Sequence, residues 1–390
     1  MVVVSCSGKF HAFNLAEQLA CHGLLYRFYT RYAYQRNTSM HRFVSRVDKE
    51  VIPVECIRTM IPLAIADKLK LTNTFINNDL FDRWVARQLK TIPADYRVFI
   101  GWSGMALRSI RQAKKDGKIT IVERGSAHIL AQEEILVEEY SRYGKAFRID
   151  SRTVDKELQE YDEADYISIP SDFVRQTFLQ KGIQADKLLI NPYGVSTYFT
   201  PRANEVNPAP FVIVYLGSLT IRKGLLHLFR ALQLLTIDES KYVVWFIGKV
   251  DEDVKEAIQR YKKNNWTFWG HINHYELATY LRQTSVAVQP SVEEGLSMII
   301  PQMMACGVPV IATTNTGVDN VVVSGSNGYV VPIRDPDSIA QHLTFLYENP
   351  EILKRMQLQA IEQSTAFSWS AYGERYVSVV RRELSKNVIS

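Results

Sequence analysis

The sequence predicts an α/β protein built as two doubly wound domains that face each other across a cleft. Short, nearly continuous apolar runs alternate with segments of helical period, and the alternation stops at a proline-rich stretch and then begins again. With 390 residues, 46% of them hydrophobic, the chain is long enough for two separate cores. Strands this apolar belong to parallel sheets covered by helices on both faces.

In the first half, "MVVVSCSG" is a strand ending in small residues, and "HAFNLAEQLACHG" is a helix that stops at Gly23. "YRVFIGW", "ITIVERG" and "DYISIPS" are further strands, with helices at "SGMALRSIRQAKKDG" and "DFVRQTFLQKG". Three prolines in "TPRANEVNPAP", residues 200–210, mark a linker. After it, "FVIVYLGSL", "YVVWFIG", "SVAVQPS" and "VPVIATT" are strands. The helices among them are "KGLLHLFRALQLL", "EDVKEAIQRYKK", "YELATYLRQ" and "RDPDSIAQHLTFLY", and the last opens with an acidic cap and a first-turn proline. The amphipathic "FSWSAYGERYVSVVRREL" follows the final strand. The boundaries read as 1–205 for the first Rossmann-like domain, 206–365 for the second and 366–390 for a terminal helix.

Cys6, Cys21, Cys56 and Cys306 show no CxxC spacing, the first residues lack a signal-peptide pattern, and no apolar run approaches the roughly 20 residues of a membrane span. The expected location is the cytoplasm. Residues 1–118 hold 19 Lys/Arg against 9 Asp/Glu, whereas the remainder holds 27 against 32. Such a field attracts an anionic small molecule, an acceptor lipid or a membrane surface, unless it is a plain solvated face. The cations are scattered and no nucleic-acid motif accompanies them, so nucleic acid is not an expected partner.

In "YLGSLTIRKG" a strand ends at Gly217, and Ser218, Arg222 and Lys223 precede a helix that begins near Gly224. Two cations beside a helix start suit a diphosphate. "QPSVEEGL" places Glu294 before Gly295 at a strand end, where a carboxylate accepts hydrogen bonds from sugar hydroxyls, and Glu293 is expected to face solvent. "LSMIIPQMMACG" then passes from a loop into a buried helix. In the first half, "IVERGSAHI" presents Glu123, Arg124, Ser126 and His128. "SCSGKFHAF" turns Gly8, Lys9 and His11 toward the cleft: Gly8 for close approach of a phosphate, Lys9 and His11 for the acceptor. Trp102 is a candidate platform for a sugar ring or lipid. His271 and His274 lack a completing cysteine or carboxylate, and no metal site is expected.

"PSVEEGLSMIIPQMMACGVPVIA" resembles the donor-site signature of the family-4 retaining glycosyltransferases of the GT-B fold. "GSLTIRKG", "ADYISIPSDFVRQTFLQKGIQADKLLINPYGVSTYF" and the terminal helix are similar to that family as well, so the resemblance covers about residues 160–385. It implies transfer of a sugar from a UDP- or GDP-sugar to a hydroxyl of a glycan or glycolipid, with retained configuration and without metal or cofactor. Cell-surface polysaccharide or glycolipid assembly would fit, with "RYAYQRNTSMHRFVSRV" as a peripheral contact on the inner face of the membrane.

Carried over by position, Glu294 contacts the transferred sugar, and Gly295 with the backbone of Leu296, Ser297 and Met298 holds the sugar and phosphates. Lys223 binds the diphosphate beside Gly217, and His128 faces the donor sugar. Two residues depart from the pattern. Ser218 stands where the family has arginine, so Arg222 is expected to reach in; Gln302 stands where a second glutamate binds the ribose. Gln302 accepts hydrogen bonds without charge, which implies donor binding weaker by ~1–2 kcal/mol, or it is simply a buried structural residue. The Asp251-Glu252-Asp253 run matches a metal-binding pattern but sits at a helix start, where acidic residues suit the dipole. A nucleotide-sugar epimerase of the same fold and a donor-impaired sugar-binding partner subunit are the competing readings.

Overall fold

Two parallel sheets run through the computed structural model, which describes residues 1–8, 10–31, 52–69, 71–92, 95–201 and 210–386. The first sheet contains β1 (Val2–Cys6), β2 (Leu25–Thr30), β3 (Ile57–Thr59), β4 (Val98–Trp102), β5 (Ile119–Glu123), β6 (Tyr166–Ile169) and β7 (Leu188–Ile190). Their order is β3-β2-β1-β4-β5-β6-β7, and every pairing is parallel. Its helices are α1 (Ala12–Cys21), α2 (Ile61–Lys68), α3 (Thr74–Leu89), α4 (Leu107–Lys115), α5 (Ile129–Ser141), α6 (Ser151–Glu163) and α7 (Asp172–Gln180). The order reverses between β1 and β4, which opens a crevice beyond the carboxyl ends of those strands.

The second sheet contains β8 (Phe211–Leu216), β9 (Tyr242–Ile247), β10 (Trp266–Gly270), β11 (Val286–Gln289), β12 (Val310–Thr313) and β13 (Gly328–Val331), in the order β10-β9-β8-β11-β12-β13. α8 (Leu225–Gln233), α9 (Lys255–Tyr261), α10 (His274–Leu281), α11 (Ile299–Ala305), α12 (Pro336–Glu348) and α13 (Pro350–Ser364) accompany it. This sheet switches between β8 and β11. β1, β4, β8, β11 and β12 are buried at every position, as their Val, Ile and Phe content requires of central strands. Side-chain caps start several helices: Asn73, Asp150, Ser171, Asn273 and Asp335 each accept a first-turn N–H, and Pro336 follows the last of them.

α14 (Trp369–Lys386) returns to the first domain and packs on α1. Arg375 donates to the Asn191 side chain at 2.6 Å and to the Pro192 carbonyl at 2.7 Å, and the Tyr376 hydroxyl meets the buried Glu123 carboxylate. At the crossing the two helices touch without a side chain between them: a Cβ on Gly373 would lie 2.5 Å from Gln18 Cβ. The expected domain boundary at 205/206, Lys9, and nearly all of the basic stretch 31–47 lie outside the described residues.

Gly373→Val is therefore expected to push α14 off α1 and destabilise the protein by about 1–3 kcal/mol. A thermal melt checks it; an unchanged midpoint would contradict this seating of the helix.

Candidate active site

The loops at the carboxyl ends of β8 and β11 are fastened to each other at the second sheet's switch point. Gly224, which caps α8 at φ +69°, makes this possible: a Cβ there would fall 1.8 Å from the Pro290 carbonyl. The Val292 N–H donates to the Arg222 carbonyl at 2.9 Å, and the Gln289 amide to the Leu216 carbonyl at 2.8 Å. The next loop holds the same segment from the other side, because Thr313 donates to the Ser291 carbonyl at 2.5 Å and Asn315 to the Val292 carbonyl at 3.0 Å.

On this platform the Lys223 ammonium sits against the Glu294 carboxylate, whose other oxygen accepts from Ser291 at 3.1 Å. Burial, with Arg222 alongside, pulls the Lys223 ammonium down to about 7, so it depends on an anion against it to stay charged. Ser218 is exposed and holds Tyr215 through its carbonyl at 2.8 Å, leaving its hydroxyl outside the described hydrogen bonds. The Ser297 N–H is committed to the Thr316 carbonyl at 3.1 Å, which corrects the expectation that it holds phosphate or sugar. The N–H groups of Leu296 and Met298 make no hydrogen bond among the described residues, and the Ser297 hydroxyl is buried without a partner. Gln302 lies buried on α11.

Glu293 corrects a second expectation. It has no solvent exposure, and its carboxylate joins the two domains. One oxygen accepts from the Ala127 N–H at 3.0 Å; the other accepts from the Gln132 amide at 2.8 Å and meets the Arg222 guanidinium at 2.8 Å. Burial alone would raise this carboxyl, but Arg222, Gln132, Ala127 and Arg124 hold it below its ordinary range. Arg222 also donates to the Glu293 carbonyl and to Ser126, so it is turned toward the first domain rather than into the loop of Lys223. Gly295 is wedged beside it: a Cβ would lie 2.1 Å from the Gly125 carbonyl, and the Gly295 carbonyl accepts from Ser171 at 2.5 Å.

Three first-domain residues also differ from expectation. His128 is the N-cap of α5, its Nδ1 accepting from the Leu130 N–H, and its ring is buried against Tyr161 and Phe178. Burial with Arg124 and Lys181 pulls it down to about 4, so it is a neutral cap rather than a group facing the cleft. His11 and Trp102 are buried too, packed ring to ring at 5.2 Å under Tyr193, Trp369 and Tyr372. His11 bonds Glu123 at 2.8 Å, so both expected acceptor residues instead anchor the returning α14. Gly8 stays near the surface at the end of β1, where a Cβ would strike the Phe10 ring, and Gly217 ends β8 at φ +133°.

Asp253 is drawn into a contact between the domains, accepting from the Tyr140 hydroxyl at 2.9 Å and the Ile221 N–H at 3.1 Å. No group of three potential metal ligands occurs among the described residues. Ser126, Gln132 and Glu293 were not singled out as a unit by the sequence, because nothing local marks residues whose partners lie 71 to 166 positions away.

Residues 199–363 match the family described as Glycosyl transferases group 1. The O-antigen chain mannosyltransferase B of Escherichia coli is 26% identical over 238 residues, covering 56% of this chain and 61% of that one. An uncharacterized glycosyltransferase of Methanocaldococcus jannaschii is 30% identical over 135 residues, 35% of this chain and 37% of its own. The chain thus spans between about a third and three fifths of the length of these curated relatives. Among solved structures, sucrose-phosphate synthase from Thermosynechococcus elongatus superposes with a TM-score of 0.71 at 18% identity over 99% of both chains. HepE of Anabaena, solved with UDP, gives 0.69 at 15% identity over 98% of this chain and 99% of that one. At these identities the likeness shows the fold, which is GT-B.

Removing the Glu293 carboxylate strands Arg222, the Gln132 amide and the Ala127 N–H together. Glu293→Ala is expected to cost about 2–4 kcal/mol, with Arg222's partial exposure keeping it below the fully buried case, and Glu293→Gln less. The urea midpoint reads this; a shift equivalent to under about 0.5 kcal/mol for Glu293→Ala would show that the bridge contributes nothing.

Proposed function

We propose that the cleft transfers a sugar from a UDP- or GDP-sugar to a hydroxyl of a glycan or glycolipid acceptor, retaining the anomeric configuration and using neither metal nor cofactor. The observation that carries this is the Lys223–Glu294 pair on the fastened loops of the second domain. A donor diphosphate takes over the Lys223 ammonium, which frees Glu294 to accept hydrogen bonds from the sugar's hydroxyls. Leu296 and Met298 supply backbone N–H groups for the phosphates, so charge building on the leaving diphosphate meets donors already in place. The sugar's anomeric carbon–oxygen bond to phosphate breaks, the acceptor oxygen bonds to that carbon from the same face, and the acceptor's proton passes to the departing phosphate oxygen.

The match to Glycosyl transferases group 1 supports the reaction class, and HepE's complex with UDP supports a uridine nucleotide first. A relative named for O-antigen chain mannosyl transfer favours cell-surface polysaccharide assembly, with the enzyme cytoplasmic and its acceptor presented at the inner membrane face. No helix among the described residues is long and apolar enough to cross a membrane.

UDP or GDP in about hundredfold excess over its dissociation constant is expected to stabilise the native state by about 2.7 kcal/mol, read as a rise of several degrees in melting temperature. Glu294→Ala should keep its fold while losing transfer by about a hundredfold or more, in an assay that a chelator leaves unchanged and whose product retains the donor's configuration by NMR. Failure to bind either nucleotide favours a partner subunit, and interconversion of the free donor without acceptor favours an epimerase.

The Lys223 proton gives a pH signature. In the free protein it leaves near pH 7, while a bound diphosphate holds it, so UDP affinity is full below about 7 and falls by up to about tenfold per pH unit above it. Lys223→Arg, charged throughout this range, should flatten the profile in calorimetric titrations; a flat wild-type profile would remove Lys223 from the diphosphate.

A further inference from the structure

On the outer face of the first domain, α3 and α4 form a groove of about 450 Å³ lined by six cations and no carboxylate. α3 gives Arg83 and Arg87, Lys90 caps its end, and α4 gives Arg108, Arg111 and Lys115. Arg83 and Arg108 share Asp79, and Arg111 pairs with Glu163. Arg87, Lys90 and Lys115 are exposed and have no ion-pair partner among the described residues. Six cations held on two rigid helices with half of them unneutralised make a field that an ordinary solvated face, with mixed signs, does not.

The same face of α3 continues in a different chemistry. Residues 76, 80, 83, 87 and 90 follow one another at steps of four and three, so they lie along one side of the helix. Toward its start that side carries Ile76 and Leu80, each 39% exposed, and the turn before it leaves Leu69 at 63% and Leu71 at 71%. α3 and α4 both lead into the amino ends of strands, so Arg87, Lys90 and Lys115, at or just past the ends of these helices, lie toward the end of the sheet away from the cleft, and Ile76 and Leu80, near the start of α3, lie toward the cleft.

We infer that this α3–α4 face docks the protein on an anionic phospholipid membrane, its cations on the headgroup phosphates and Leu69, Leu71, Ile76 and Leu80 at the acyl boundary. Phosphates alone would satisfy the groove; the adjoining exposed aliphatic residues are what single out a lipid surface. No aromatic ring lines the groove for base stacking, which disfavours a single-stranded nucleic acid. The apolar end lies on the cleft side, so the docked protein presents its cleft alongside the membrane. This adds a partner at a different face to the reading above, and nucleotide binding tests that reading separately.

Vesicle flotation tests it with the full chain. Equimolar phosphatidylglycerol–phosphatidylcholine vesicles should carry the protein at low salt, pure phosphatidylcholine vesicles should not, and about 0.5 M salt should release most of it. The variant R87Q/K90Q/K115Q, at residues whose side chains make no hydrogen bond or ion pair among the described residues, should stay folded with the wild-type UDP response while losing vesicle binding by about a hundredfold, at roughly fivefold per cation. L69S/L71S/I76S/L80S should lose at least about tenfold, since each aliphatic side chain removed from the boundary takes away its own apolar burial. Absence of wild-type flotation, wild-type binding by either variant, or binding to soluble polyphosphate without binding to vesicles would overturn the inference.

Discussion

The docking of the two domains depends on a carboxylate that water does not reach. An ionised Glu293 taken from water costs several kcal/mol, and only good geometry on every lone pair offsets this. The partners come from three separate places: Arg222 from the loop after β8, Gln132 from α5 and the Ala127 N–H from the loop before α5. Arg124 extends the bridge by donating to the Gln132 side-chain oxygen (Oε1) at 2.8 Å and pairing with Glu157 at 2.8 Å, so the loop that lines the first-domain side is itself rigidly placed. Gly295, two residues on, can then touch the Gly125 carbonyl, which any side chain would prevent. The position of the first domain and the position of the Glu294 loop are consequently one constraint.

α5 repeats this logic at its other end. Glu139 is buried between His227 at 2.7 Å and Arg334 at 2.7 Å, both from the second domain. Burial would raise its carboxyl, yet the hydrogen bonds from His227 and Arg334 outweigh it and keep Glu139 below the ordinary range. Arg334 reaches this position at φ +63°, a backbone conformation uncommon for a residue with a side chain, in the short connection between β13 and α12. One helix of the first domain is thus fixed to the second at both ends by charged contacts, beside Tyr140 and Tyr143, which pack on the second domain's apolar core.

Most of the fold was legible because its cause is local. The central strands are mostly apolar and buried at every position, and Gly, Pro and acidic caps punctuate the helices between them. β2, β3, β7, β10 and β13 went unread: β3 and β7 span three residues each, and β10, at the edge of its sheet, alternates buried and exposed positions in a way that a parallel strand pattern does not suggest. Lys223 and Glu294 each lie in a short stretch that the sequence singles out, and the structure brings the two together although they are 71 positions apart. His11, Trp102 and His128 were misread because their surroundings are set from afar. α14 begins at Trp369 and roofs over the ends of β1 and β4, and Thr177 with Phe178 from α7 turns His128 inward. Glu293 was misread by its neighbour: two adjacent glutamates suggest one inside and one outside, and Glu294 does stay partly exposed, but the solvent-facing position expected for Glu293 is closed by the Ala127 N–H and the Gln132 amide of the first domain, with Arg222 beside it as counter-charge.

The departure at Ser218 acquires a physical meaning from this arrangement. A second cation for a diphosphate was expected from Arg222, but its Nε and one terminal nitrogen are committed to Glu293 and Ser126 across the domain junction. While the domains are docked as they stand, Lys223 is the cation of that loop turned to the second-domain side of the cleft, and it is occupied by Glu294. Arg222 therefore stands at a branch: it either completes the buried bridge or leaves it, and leaving strands Glu293 without its charge partner in a site closed to water. The same guanidinium cannot do both at full strength. Recruiting Arg222 to a ligand on the loop would weaken the junction, and keeping the junction leaves the ligand to Lys223 and the free N–H groups. Domain docking and the charge available in the cleft are in this way coupled through one side chain, a coupling absent from any chain in which the residue after the strand glycine carries the charge itself.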